Sequence, residues 1–129
     1  MNILLIEVDK DDSMIFSEAV KDFDPAIDFK SVPDAGEALS YLNDLKNRLP
    51  DLIFLDLRMP GMSGQQCLVE MKNDPRLAPV PVIVYTTSKD VKESILLKDL
   101  GAVHFMSKPV SAEDVYYMVS FVLGEQWTA

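Results

Sequence analysis

The sequence predicts an α/β fold in which five parallel strands form a doubly wound sheet between two layers of helices, a three-layer sandwich with five helices. A strand followed by a helix recurs five times, with short connections that favour right-handed crossovers. Most of the strands are short apolar runs, which is typical of parallel strands buried on both faces. The 129 residues suit one domain, and no linker, low-complexity segment or repeat divides them.

The first strand is an apolar run and the second is an alternating one. Residues 3–6 are all apolar, which predicts a buried strand. Asp12 or Ser13 can cap the helix that follows, and we expect this helix to end near Phe23. Residues 27–32 alternate between apolar and polar side chains, so they are expected to form an edge strand.

The second helix and the third strand–helix unit are equally well marked. Asp34 can cap the second helix, whose apolar side chains recur at helical spacing at Ala38, Leu39, Leu42 and Leu45. Residues 52–55 carry only apolar side chains, so both faces of this strand are expected to be buried. A Pro-Gly turn follows, and Ser63 can cap a third helix that runs to residue 73.

The last two units repeat the pattern. They comprise two strands, residues 80–85 and 103–106, and two helices, residues 90–100 and 112–123. Gly101 and Gly124 are each placed to end the helix before them. We therefore expect one domain over residues 1–124 and a short tail over residues 125–129, with no effector domain.

Composition argues against several classes of protein. The formal net charge of -9 disfavours binding to nucleic-acid phosphates. No apolar run approaches the roughly 20 residues of a membrane span, and the chain begins without the basic segment of a signal peptide. Cys67 is the one cysteine, so no internal disulfide can form. We expect a cytoplasmic protein that binds neither nucleic acid nor membranes.

Polar side chains follow four of the five strands. Glu7 and Asp9 come after the first strand, Asp56 after the third, Thr86 after the fourth and Lys108 after the fifth. The carboxyl ends of parallel strands meet at one edge of a sheet, where open α/β sheets bind ligands. Clustered carboxylates suit Mg²⁺, and a carboxylate can also attack phosphorus to give an aspartyl phosphate. The phosphoryl oxygens would then need a metal, an ammonium and a hydroxyl.

Over about residues 2–123, the chain resembles the receiver domain of two-component response regulators, a flavodoxin-like fold, in its stand-alone form. The segment Leu-Asp-Leu-Arg-Met-Pro-Gly-Met-Ser-Gly matches the family pattern around the phosphoacceptor, which implies that role for Asp56. Thr86 matches the hydroxyl residue that moves toward the phosphoryl group. Lys108, in Ser-Lys-Pro, matches the lysine that pairs with the phosphoryl group. Phe105 matches the aromatic switch position.

The resemblance also implies a metal site, in which the chain departs from the family. It assigns Mg²⁺ to Glu7, Asp9, Asp56 and the backbone carbonyl of Arg58. Receivers usually have consecutive acids after the first strand, whereas here Val8 interrupts them and supplies no oxygen. Mg²⁺ is therefore expected to bind weakly, unless the loop bends and Asp9 compensates. The Lys-Pro bond is usually cis in the family, so we expect a cis Lys108–Pro109 bond.

The last helix carries more apolar residues than one packed face requires. Tyr117 and Phe121 lie one turn apart outside its core stripe, which predicts a surface for a partner or for a two-fold homodimer. The alternative is that Trp127 and the tail cover them.

Three functions are compatible with these features. The first is a receiver that accepts a phosphoryl group on Asp56 from a histidine kinase or phosphotransfer protein and signals to a downstream effector. Such a receiver is no enzyme beyond catalysing the transfer to its own aspartate and the hydrolysis of the product. The second is a pseudo-receiver that binds proteins without phosphorylation, which Val8 favours. The third, a phosphatase on the same sheet, is weakest because no separate general acid or Gly-rich loop is visible.

Overall fold

The computed structural model describes residues 1–128, in which five strands and five helices alternate along the chain. The strands are β1 (Asn2–Ile6), β2 (Asp28–Val32), β3 (Leu52–Leu55), β4 (Val82–Thr86) and β5 (His104–Ser107). The helices are α1 (Lys10–Phe23), α2 (Ala35–Asn43), α3 (Gly64–Asn73), α4 (Val91–Asp99) and α5 (Ala112–Leu123). Within residues 1–128, no helix has the length and apolar character needed to cross a membrane.

The sheet is parallel throughout, and its strand order β2-β1-β3-β4-β5 confirms the doubly wound prediction. The chain winds outward in opposite directions from β1 and β3, and ligands bind at such a switch point, beyond the carboxyl ends of the strands. Ile6 pairs with Leu55 across this point, and the Asp56 N–H donates to the Ile6 carbonyl oxygen at 3.0 Å. The residues that follow β1 and β3 therefore lie side by side.

Two apolar layers enclose the sheet. One packs α2, α3 and α4 against the sheet, and the other packs α1 and α5 against its opposite face. Neighbouring strand residues alternate between the layers, so that Leu4 joins the first and Leu5 the second. Phe16 of α1 is completely buried, with its ring 4.8 Å from Phe54 and 5.3 Å from Tyr85, centroid to centroid. Both faces of the central strands are thus removed from water.

The main difference from the predicted elements lies at the start of α1. The helix begins at Lys10 rather than after Asp12 or Ser13, because Asp9 is its N-cap. The Asp9 carboxylate accepts the Asp12 N–H at 3.0 Å, which satisfies one of the free donors of the first turn. The first turn of α1 therefore stands directly beside the end of β1.

Two further expectations were wrong in detail. Helix α2 ends at Asn43, so Leu45 lies outside it and is exposed rather than part of an apolar face. No peptide bond in residues 1–128 is cis, so the Lys108–Pro109 bond is trans, the isomer that costs less for X-Pro bonds. Lys108 is held at the edge of the sheet all the same, because its N–H donates to the Thr86 carbonyl oxygen at 2.7 Å.

Candidate functional site

The ammonium of Lys108 lies among three carboxylates at the carboxyl edge of the sheet. It forms an ion pair with Glu7, lies 3.1 Å from Asp12 Oδ2 and lies 3.3 Å from Asp56 Oδ2. Glu7 and Asp56 are buried, and the Lys108 side chain is only 9% exposed. The ring of Tyr85 lies beneath the ammonium, with its centroid 5.5 Å from Nζ, close enough for a cation–π contact. We call the site formed by Glu7, Asp12, Asp56 and Lys108 the crevice. It combines buried negative charge with one buried positive charge.

Burial and mutual contact shift the pKa values of Glu7 and Lys108. Burial raises the pKa of Glu7 to about 7; the Asp56 carboxylate adds to the rise and the Lys108 ammonium opposes it. Desolvation lowers the pKa of Lys108, but its contacts with Glu7 and Asp12 and the charge of Asp56 outweigh that effect. The net pKa of Lys108 is raised well above its ordinary value, so its ammonium is a permanent charge.

The loop after β3 fixes Asp56 in place. The Arg58 N–H donates to Asp56 Oδ1 at 3.3 Å, and the Gly64 N–H donates to the Leu57 carbonyl oxygen at 3.0 Å. Gly64 packs so closely that a Cβ there would overlap the Asp56 carbonyl oxygen and the Leu57 Cα atom. Ser63 caps α3 by accepting the Gln66 N–H, as its sequence position predicts. The first residue of α3 is thereby packed against the backbone of Asp56.

The Thr86 hydroxyl also lies at this edge and has no hydrogen-bond partner among the described residues. Thr86 is completely buried, and its Oγ1 atom forms no hydrogen bond. A buried hydroxyl without a partner costs about 1–3 kcal/mol, which a ligand with an acceptor oxygen would recover. Phe105 is half-buried on the neighbouring strand, pairs with Val84 and packs against the first apolar layer.

The acidic residues after β1 are arranged differently from expectation. Val8 is 41% exposed, and Asp9 is exposed with its carboxylate engaged in capping α1. Asp12, expected only as a helix cap, instead accepts a hydrogen bond from the Lys108 ammonium at 3.1 Å. The sequence contains a signal for this contact. If Asp9 caps the helix, Asp12 is the third residue of the first turn, on the side that borders the sheet edge.

The donor set is compatible with Mg²⁺. Among residues 1–128, no three Asp, Glu, His or Cys side chains are grouped closely enough to hold a metal on their own. Mg²⁺ does not require such a cage, since it keeps several waters and is commonly bound through one or two carboxylates. The buried carboxylates of Glu7 and Asp56 meet that requirement.

The predicted partner surface on α5 is exposed. Tyr117 and Phe121 are 61% and 71% exposed. Trp127 does not cover them, because it stacks on His104 and donates its indole N–H to the Val122 carbonyl oxygen at 2.9 Å. Over the described residues 125–128, the alternative that the tail covers this pair is therefore wrong.

A family model described as "Response regulator receiver domain" matches residues 3–120. Among curated proteins, the response regulator Rcp1 of Synechocystis sp. is 31% identical over 121 residues, which cover 91% of this chain and 82% of that protein. PhoB of Escherichia coli, a phosphate regulon transcriptional regulatory protein, is 29% identical over 84 residues, which cover 65% of this chain and 37% of PhoB.

Solved structures agree with these matches. A crystal structure described as the Mn(2+)-bound form of response regulator Rcp1 has a TM-score of 0.86 and 30% identity, covering 94% of this chain and 90% of that one. The phosphorylated cyanobacterial phytochrome response regulator RcpA has a TM-score of 0.85 and 31% identity, with 94% and 89% coverage. The similarity thus extends over nearly the whole of both chains.

Proposed function

Because this chain belongs to the response regulator receiver domain family of two-component systems, we propose that it accepts a phosphoryl group on Asp56 and switches a protein-interaction face in response. Receiver domains are in general signalling modules, and Mg²⁺ and phosphoaspartate are general features of the family. The observation that carries the proposal is the buried Asp56 carboxylate 3.3 Å from the Lys108 ammonium, at the same sheet edge as the unpartnered Thr86 hydroxyl.

The proposed donor is a phosphohistidine on a histidine kinase or phosphotransfer protein in the cytoplasm. One Asp56 carboxylate oxygen forms the new bond to phosphorus while the phosphorus–nitrogen bond breaks. The electron pair stays on the imidazole nitrogen, which then takes a proton from solvent. Lys108 neutralises one phosphoryl oxygen, and the Thr86 hydroxyl donates to another, which gives this hydroxyl the acceptor it lacks.

Mg²⁺ fits the same site. When bound, it supplies positive charge to the phosphoryl oxygens. Glu7, Asp56 and the Arg58 carbonyl would hold it, and Asp9 could join them only by giving up its cap on α1. Lys108 and the carboxylates form the environment into which the cation binds.

The proposed output is a change at α4, β5 and α5. The phosphoryl group draws Thr86 inward, Phe105 occupies the vacated space, and the face that contains Tyr117 and Phe121 gains affinity for a second copy or a downstream effector. Support comes from the position of Phe105 on the strand next to Thr86 and from the exposure of the two aromatic side chains on α5.

Intact mass spectrometry tests the acceptor. The full chain is incubated with Mg²⁺ and a small-molecule phosphodonor, and separately with a phosphorylated histidine phosphotransfer domain. We expect the mass of one phosphoryl group on the wild type and on the control Asp11→Asn, and none on Asp56→Asn. Mass addition that survives Asp56→Asn would overturn the assignment.

A pseudo-receiver is the second candidate, and the observation that favours it is the exposed apolar Val8 where receivers usually have an acid. In that case the wild type stays unmodified with Mg²⁺ and either donor. Its affinity for its partner would then be the same as that of Asp56→Asn.

A further inference from the structure

Asp12 is a part of the crevice that the family pattern does not assign. Its carboxylate lies 3.1 Å from the Lys108 ammonium, which also contacts Glu7 and Asp56. Its side chain is 40% exposed, whereas the side chains of Glu7 and Asp56 are buried. Asp12 therefore faces the buried pair on one side and water on the other.

The formal charges of Glu7, Asp12, Asp56 and Lys108 do not balance. When ionised, the three carboxylates carry three negative charges, and Lys108 supplies one positive charge. The remaining excess equals the charge of one divalent cation. A second feature at the same edge also indicates a ligand, because the Thr86 hydroxyl is completely buried and has no partner among the described residues.

We propose that Asp12 supplies the third negative charge of the cation site, in place of the acid that Val8 lacks. It acts on bound Mg²⁺ through the waters of the cation rather than as a direct ligand. This agrees with the absence, within residues 1–128, of three acidic side chains grouped as direct ligands. Asp9 cannot serve equally well, since its carboxylate caps α1. The inference rests on the proposed Mg²⁺-dependent function.

Direct metal binding, without any phosphodonor, measures the effect of Asp12. Mg²⁺ and Mn²⁺ are titrated by isothermal calorimetry into the full-length wild type, Asp12→Asn and Asp11→Asn. Asp11 is the matched control, because it is exposed, lies in the same helical turn and forms no ion pair in the described part of the chain. A unit charge about 6 Å from a divalent cation changes its affinity about tenfold at the dielectric constant of water. We expect that loss in Asp12→Asn, and a change below about twofold in Asp11→Asn.

Two further variants separate an effect on the cation from an effect on Lys108. Val8→Asp combined with Asp12→Asn should recover the lost affinity, because it returns an acid to the usual family position. In the Lys108→Met background, Asp12→Asn should still weaken binding several-fold. If its effect vanishes there, Asp12 acts only by holding the lysine and the proposal is wrong.

The outcomes are distinguishable. Equal affinities for Asp12→Asn and Asp11→Asn, with a wild type that binds the cation, would overturn this inference and leave the proposed function standing. A wild type that binds neither Mg²⁺ nor Mn²⁺ would overturn both. Circular dichroism melting of each variant establishes that the compared proteins are folded, and the Val8→Asp recovery must also hold for Asp12 to retain this role.

Discussion

Glu7 should make the stability of this protein fall as pH rises through the weakly acidic range. Its pKa is raised by burial from an ordinary 4.5 to about 7 in the folded state. Below pH 4.5 both folded and unfolded chains hold the proton, so Glu7 costs the fold nothing. Between these two values the unfolded chain releases the proton and the folded chain keeps it. The free energy of unfolding therefore falls across this window and levels off above it.

The size of the effect follows from the same two values. A difference of this extent, at about 1.4 kcal/mol per pH unit, amounts to roughly 3 kcal/mol. His104 acts in the opposite direction, because desolvation and the charge of Lys98 lower its pKa, so its contribution to stability rises with pH. Glu7→Gln keeps His104 and removes only the carboxyl titration, so the comparison with the wild type isolates Glu7.

Urea unfolding followed by circular dichroism, with a chelator present, measures this difference from about pH 5 to pH 8. The wild type should lose about 2–3 kcal/mol relative to Glu7→Gln over that range, because the rest of the effect falls below pH 5. The exposed Glu18→Gln is the control and should follow the wild type. Parallel curves for the wild type and Glu7→Gln would refute the reasoning, and would mean that Lys108 fully compensates the burial of the carboxylate.

Three further substitutions test the metal site, the packing of Gly64 and the exposed surface of α5. Val8→Asp should tighten Mg²⁺ binding about tenfold in a calorimetric titration, and equal or tighter binding by the wild type would show that the missing ligand is already replaced. Gly64→Ala should lower the free energy of unfolding by about 1–3 kcal/mol, because the added Cβ would overlap the Asp56 backbone. The control Gly36→Ala, within α2, should not destabilise the protein. Equal unfolding curves for the two variants would contradict this prediction. Phe121→Ser should weaken self-association in sedimentation experiments, most clearly with a phosphate mimic at Asp56, and a wild type that is monomeric throughout would argue against the dimer.

The sequence was sufficient to predict the order of the elements and the layers. Hydrophobic periodicity and capping residues act locally, and β1 and β3 are apolar enough that no other placement buries them. The same logic located Glu7, Asp56, Thr86 and Lys108, since the ends of parallel strands are expected at one edge.

What the sequence did not reveal depended on competition between neighbours. Several acids follow β1, and any of them can cap a helix, so only the folded backbone determines that Asp9 does so and that Asp12 faces Lys108. The Lys108–Pro109 bond was expected to be cis from the family pattern alone, and no local signal in the sequence specified the isomer. Val8 removes an acid from the usual family position, and the effect of that loss depends on which neighbouring charges the fold brings to the site.

The stacking of Trp127 on His104 gives the protein a built-in optical reporter. Trp127 is the one tryptophan of the sequence, and its ring centroid lies 5.3 Å from that of His104, the residue before Phe105. Indole emission responds to neighbouring charge and solvent, so movement of β5 should change the intensity or wavelength of the emitted light. Rearrangement of the face beside α5 could then be followed in real time on the unlabelled chain.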